Sequence, residues 1–173
     1  VLRRSRGARE ARRIVVLNER DLANPRAGGA EIHVVEIFRR LAARGHSVRM
    51  LTASFRGAAP TETTDGIVIR RLGGNRYGYY PRMPFALRRE LARDPADAVV
   101  DVLNKLPFFT PAVVDVPCCA IVHHLFGATA FQQVPFPIAV ASALAEQAIP
   151  FVYRRTPMLA ISESTRADLV ARG

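Results

Sequence analysis

The chain has 173 residues, 49% of them hydrophobic and 23% charged. That composition supports one domain with its own core and excludes an intrinsically disordered chain. The formal net charge is +10, carried almost wholly by arginine with Lys105 as the single lysine; such a surface can draw nucleic acid, anionic lipid or a phosphorylated substrate, and charge alone does not choose among them.

In chain order, residues 1–12 (VLRRSRGAREAR) are polar and without period, and are expected to form a basic flexible arm. RIVVLN (Arg13 to Asn18) is a short continuous apolar run, the pattern of a strand buried on both faces. ERDLANPRAGG carries Asn-Pro and Gly-Gly loop signals. From Ala30, the apolar residues Val34, Val35, Phe38, Leu41 and Ala42 recur at helical spacing, with Arg39, Arg40 and Arg44 outside and Gly45 placed as the helix terminator.

SVRMLTA (Ser47 to Ala53) is a second strand and GIVIRRL (Gly66 to Leu72) a third, separated by a Pro/Thr loop. GGNRYGYYPRMP is expected to be a long loop, and FALRRELAR (Phe85 to Arg93) a helix. DAVVDVL (Asp97 to Leu103) and PCCAIVHH (Pro117 to His124) are further strands. A long helix, broken at Pro150, is expected over Pro135 to Arg155. PMLAIS (Pro157 to Ser162) is a sixth strand, and SESTRADLVARG a last helix capped by Ser162 or Ser164 and closed by Gly173. Alternating strands and helices, with uniformly apolar strands, predict an α/β fold with a parallel sheet and helices on both faces. Its ligand crevice should lie at the carboxyl ends of the strands. No apolar run is long enough to span a membrane, and no secretory core follows the basic arm, so a cytoplasmic location is expected.

Gly28 and Gly29 precede the first helix, yet neither the GxGxxG nor the GxxxxGK[ST] fingerprint is present. Two readings stay open. The pair either lets a ligand approach free helix amides, which favour an anion, or makes a tight turn needing positive φ. His123 and His124 end an apolar strand, so one should face the crevice and the other turn away. A histidine at that edge can hydrogen-bond a sugar hydroxyl or phosphate, or else be buried against backbone. Asn104 and Lys105 follow a strand directly, and Phe108 and Phe109 fit the core. Ser162-Glu163-Ser164 is explained by capping alone, and Gly-x-Ser-x-Gly is absent, which disfavours a hydrolase. Adjacent Cys118 and Cys119 make a poor disulfide and lack metal-ligand spacing, and His33 and His46 belong to the first helix and its end, so no metal site is expected. The run RYGYYPRMPFALRR (Arg76 to Arg89) interleaves aromatics with arginines: either a sugar-, base- or lipid-facing surface, or tyrosines packed on their own helix.

Four segments in register, PRAGGAEIHVVEIFRRLAARGHSVRMLTA, LPFFTP, IVHHLFG and LAISESTRADLVARG, resemble the N-terminal domain of a GT-B fold glycosyltransferase of family 4 (group 1) over residues 13–173. The resemblance implies a three-layer Rossmann-like domain on the acceptor side of a retaining enzyme, which moves a sugar from a nucleotide-sugar donor to an acceptor hydroxyl. It implies no tightly bound cofactor or metal. By position, Gly28 and Gly29 match the loop near the donor phosphate and transferred sugar, and His123 matches the strand-end histidine that acts there. Asn104, Lys105, His124, Ser162 and Glu163 are expected to line the cleft. The donor domain expected after Gly173 is absent from the sequence, so the chain alone is expected to be inactive. An anionic or lipid-linked acceptor, with peripheral contact at the inner membrane face, fits the arginine-rich loop; nucleic acid is not expected. The alternative is a stand-alone nucleotide- or nucleic-acid-binding module.

Overall fold

In a computed structural model that describes residues 10–73, 78–104, 106–125, 127 and 134–173, RIVVL forms a central strand, β1 (Arg13–Leu17). Successive strand residues face opposite ways. Val16 therefore packs with Val34, Val35 and Phe38 of α1 (Gly29–Ala42). Val15 and Leu17 pack with Tyr79, Met83 and Leu87 of α2 (Tyr79–Arg93) on the opposite face. A strand covered on both faces needs no polar alternation, hence its continuous apolar run.

The other strands are β2 (Ser47–Ala53), β3 (Thr61–Thr64), β4 (Ile67–Leu72), β5 (Ala98–Leu103), β6 (Cys118–Val122) and β7 (Met158–Ala160). They form one sheet in the order β3-β4-β2-β1-β5-β6-β7, parallel throughout except for the antiparallel pair β3 and β4. The helices α3 (Phe136–Val152) and α4 (Glu163–Arg172) flank the β6–β7 side, where Ile149 packs with Leu103, Ala120 and Val122. This is the expected α/β layered architecture. Cys118 and Cys119 are free thiols, each partly buried.

Three elements differ from the sequence expectation. The Pro/Thr loop contains β3, whose four residues are all exposed, so no apolar alternation marks it. It is defined instead by the hairpin turn Asp65-Gly66, both at positive φ (52° and 76°), the conformation that Asp-Gly supplies in tight hairpins. Secondly, α2 begins at Tyr79 rather than Phe85, and so includes Pro81 and Pro84. Burial decides this: Tyr79 is fully buried, its hydroxyl 2.6 Å from the Asn18 carbonyl and 2.9 Å from that of Leu51, and Tyr80 stacks on Phe108. These two tyrosines belong to the core, while Arg82, Phe85 and Arg89 stay exposed. Thirdly, α3 passes through Pro150 without breaking there and ends at Val152.

Part of the positive charge is spent inside the fold, at Arg49 and Arg71. Arg49, buried on β2, bonds Glu90 at 2.7 Å, and Arg70 bonds the other oxygen of Glu90 at 2.6 Å. Arg71 is buried on β4, and its guanidinium clasps Asp21 at 2.8 and 3.0 Å while reaching Glu62 at 2.7 Å. Asp21 lies in the loop between β1 and α1, so this pair ties that loop to the sheet. Burial pulls the Asp21 carboxyl upward, but Arg71 and the Thr52 hydroxyl outweigh it and hold it below its ordinary value.

Arg71→Met should leave Asp21 as an uncompensated buried charge and cost about 3–5 kcal/mol of stability. Glu62→Gln, at the exposed end of the same network, should cost under about 1 kcal/mol. Urea denaturation of both variants near neutral pH measures the difference.

Candidate functional site at the carboxyl edge of the sheet

The chain builds the sheet outward from β1 in both directions, through β2 and β4 on one side and β5, β6 and β7 on the other. The crevice of such a sheet opens where the direction reverses, between the carboxyl ends of β1 and β5. Asn18 follows β1 and Asn104 follows β5. Both continue the alternation that faces α1, beyond Val16 and Val102. Their side chains meet: the Asn104 amide donates to Asn18 Oδ1 at 3.1 Å. The orientation of Asn18 is set independently, because its Oδ1 also accepts the Glu19 N–H at 3.1 Å and its amide donates to the Arg20 carbonyl at 2.8 Å. Asn104 must therefore present its NH₂ to Asn18. Its own Oδ1 is left buried without a partner among the described residues.

His123 follows β6, with its backbone N–H 3.2 Å from the Leu103 carbonyl. The same alternation, beyond Ile121, turns it toward α1, where its Nε2 lies 3.2 Å from Nδ1 of His33. The two rings are close to perpendicular, 5.3 Å between centroids. His123 is buried and its Nδ1 has no partner among the described residues. His124 is exposed, as the alternation requires of its neighbour. Burial first, then the charges of His33 and His124, pushes the His123 imidazole down to about 4, so it is neutral at physiological pH.

Gly28 and Gly29 start α1. Neither has positive φ; Gly28 sits at φ −143°, extended backbone open to any residue. The tight-turn reading therefore does not hold. A Cβ added at Gly29 would meet nothing within 4 Å, and one at Gly28 only the Glu31 carboxylate at 3.8 Å. The fold itself leaves this space empty. Glu31, buried, accepts the Gly28 N–H at 2.7 Å, and Arg20 stands 3.9 Å from its other oxygen. Gly28 has no side chain with which to cap α1, and among the described residues the capping bond here is that of Glu31 to the Gly28 N–H, so the donors left at this end are the amides of its first turn.

Ser162 is the N-cap of α4, its Oγ accepting the Thr165 N–H at 3.1 Å, and Thr165 Oγ1 donates to the His123 carbonyl at 3.1 Å. This pair props the end of β6. Glu163 is 82% exposed and pairs with Arg166 at 2.7 Å. Lys105 and most of the His123–Gln133 loop lie outside the described residues, as does the Arg76–Tyr77 part of the aromatic run. Beside the site, a groove of about 380 Å³ is lined by Glu19, Arg20, Asn24, Arg26, Ser54 and Phe55. Sequence reasoning missed Asn18 and His33. Asn18 carried the same signal as Asn104, a polar residue directly after an apolar strand. His33 lies one turn past Gly29, a contact with β6 that no local pattern announces.

Elsewhere in the core, Asp101 on β5 accepts from the Tyr153 and Thr110 hydroxyls, and burial raises its carboxyl to about 6 from 3.8 despite those bonds. A raised carboxyl stabilises the fold at low pH, and that contribution is lost as pH climbs toward 6. The depressed His123 does the reverse: its contribution is present above 6.5 and lost as pH falls toward 4. The two oppose each other in one window. Relative to the parent chain, Asp101→Asn should make stability rise more steeply with pH between 4 and 6.5, and His123→Asn should make it rise less steeply. Urea midpoints across that range decide; equal slopes in the two variants would contradict the assignment.

No curated protein matches the sequence. Among solved structures, sucrose-phosphate synthase from Thermosynechococcus elongatus is similar with a TM-score of 0.60 over 87% of this chain at 16% identity. The chain spans about half of that protein, 47% of its length. A short-chain dehydrogenase/reductase from Burkholderia vietnamiensis matches 92% of this chain and 88% of its own at 14% identity, with a TM-score of only 0.44. The family description "Glycosyltransferase Family 4" matches residues 27–173, from the residue before Gly28 to the end of α4 and beyond. With most of its length so matched and a Rossmann-like sheet of the kind that makes up half of a GT-B fold, the chain belongs to Glycosyltransferase Family 4.

Proposed function

We propose that this chain forms the acceptor-side wall of a retaining glycosyltransferase, which moves a sugar from a nucleotide-sugar donor to an acceptor hydroxyl without a tightly bound cofactor. The observation that carries this reading is the open space at Gly29 against a helix end whose N-cap residue, Gly28, has no side chain. Glycine there serves no turn, so its lack of a side chain is best explained by a group that comes close to the backbone. A diphosphate or a sugar fits the amides of the first turn and the positive end of the helix dipole. Gly28 contributes by bringing the chain in extended, its N–H held by Glu31. His123, neutral and at the neighbouring strand end, meets the transferred sugar or the acceptor, and Asn104 borders the same corner. His124 and Ser162 line the rim, with Ser162 acting mainly through Thr165 on the position of His123. Glu163, exposed and paired with Arg166, lies farthest from this role. The nucleotide is held by a second domain across the cleft, since catalysis of transfer requires both reactants positioned at once.

The acceptor is anionic or lipid-linked, and the enzyme works in the cytoplasm at the inner membrane face. Supporting this, α2 buries Tyr79, Met83, Leu87 and Glu90 and turns Arg82, Phe85, Arg89 and Arg93 outward, with Phe85 67% exposed. Among the described residues no helix is long and apolar enough to cross a membrane. Contact through this face is peripheral, an aromatic anchor amid cations on an amphipathic helix.

Gly29→Ala should leave thermal stability unchanged or slightly raised, because the position is helical and the space is empty, yet it should raise KM for the nucleotide-sugar. In the full-length enzyme, His123→Ala should lower turnover about tenfold to a hundredfold with the fold retained by circular dichroism. Unchanged turnover would remove His123 from the site. Arg89→Glu combined with Arg93→Glu should reduce co-sedimentation with phosphatidylglycerol vesicles while leaving the weak binding to phosphatidylcholine as it was.

A further inference from the structure

His33 has no part in the reading above, yet it is the one side chain hydrogen-bonded to the His123 ring among the described residues. A neutral imidazole carries one N–H and one lone pair, and the bond made by one nitrogen dictates the state of the other. His123 is buried and neutral, and between two neutral rings only two arrangements of the 3.2 Å contact exist. In the first, His123 Nε2–H donates to a lone pair on His33 Nδ1. In the second, His33 Nδ1–H donates to His123 Nε2. The first keeps both rings in the tautomer that free histidine prefers, with the proton on Nε2. It also lets exposed His33 turn its own Nε2–H to water. The second forces His33 into the disfavoured tautomer and buries an unpaired N–H at His123 Nδ1, which costs more than burying an unpaired lone pair on an aromatic nitrogen. The first arrangement wins.

The consequence extends to Asn104. It directly follows Leu103, and His123 directly follows Val122, two residues paired in register on adjacent strands. The side chains of Asn104 and His123 thus stand at the same level on the α1 side of the sheet. The Asn18 network leaves Asn104 with an unpaired Oδ1. The His33 contact leaves His123 with an unpaired Nδ1. Both orphans are acceptors, whereas the first-turn amides of α1 are donors. We propose that His33 is a positioning residue that holds His123 in the Nε2–H tautomer, so that Asn104 and His123 form an acceptor-only corner that takes sugar hydroxyls and rejects phosphate oxygens. The division of labour follows: phosphate goes to the first-turn amides and hydroxyls to the Asn104–His123 corner. This rests on the proposed sugar-transfer role for its biological meaning, but the tautomer itself does not.

Nitrogen NMR of histidine-labelled full-length protein tests it, with 4 histidines in this chain to assign. Parent His123 should show a protonated, pyrrole-type Nε2 and an unprotonated, pyridine-type Nδ1. His33→Phe, which keeps an aromatic ring but no acceptor, should release His123 into a mixture of tautomers. His33→Gln, whose side-chain oxygen can accept, should restore the single form. A protonated Nδ1 in the parent, or His123 signals unmoved in His33→Phe, overturns the proposal. In the same preparations, kcat/KM with the nucleotide-sugar should fall about tenfold in His33→Phe and recover in His33→Gln. If the tautomer behaves as expected while turnover ignores both His33 and His123, the positioning role stands and the sugar-transfer reading of this corner falls instead.

Discussion

The loop from β1 to α1 has no regular structure of its own, and at its centre it is held by a buried ion pair. Asp21 is wholly inside the protein, and a carboxylate can stay there only against a partner of opposite charge with good geometry. Arg71 reaches it from β4 with two bonds and gathers Glu62 with a third. Such a pair adds little net stability over an apolar equivalent. What it supplies is position: the loop cannot swing out without exposing a charge's partner or abandoning it. Asn18 on one side of Asp21 and the Gly28–Glu31 contact on the other complete the constraint. The helix end that carries the candidate site is thereby held over the sheet edge.

From that anchored loop the rest of the site follows by the geometry of a parallel sheet. Alternation along β1, β5 and β6 sends Val16, Val102 and Ile121 into the core beneath α1. The next residues on the same stripe are Asn18, Asn104 and His123. The apolar stripe ends where the strands end, and polar groups take over at the mouth of the crevice. Two of these groups keep a hydrogen-bonding atom unsatisfied in a buried place. Under the proposed sugar-transfer role, unsatisfied acceptors beside free helix amides make a chemically divided surface.

Most of the architecture was legible because fully covered strands leave continuous apolar runs and helices leave their own period. The order of the β and α segments then sets the crevice edge, so the positions of Gly28, Gly29, Asn104, His123 and Ser162 near it follow from the residues alone. What could not be read was polar or aromatic sequence whose fate depends on distant partners. TETT became an edge strand because of its hairpin turn. Tyr79 and Tyr80 were drawn into the core with Phe108, which carried a helix start across two prolines. Arginines that read as surface charge were used against Glu90 and Asp21.

The sequence by itself determined the layered α/β fold, the edge at which the candidate site lies, and the family resemblance carried by the glycine loop, the paired histidines and the capped last helix. These rest on local signals: period, caps, breakers and the ends of strands. Only the tertiary structure decided which histidine faces α1, that His33 is its partner, that the two glycines serve no turn, and which amide atom of Asn104 is left over. Each of these depends on contacts between residues far apart in the chain, such as the 90 positions that separate His33 from His123. A hydrogen bond across that distance leaves no period in the sequence from which it could be read.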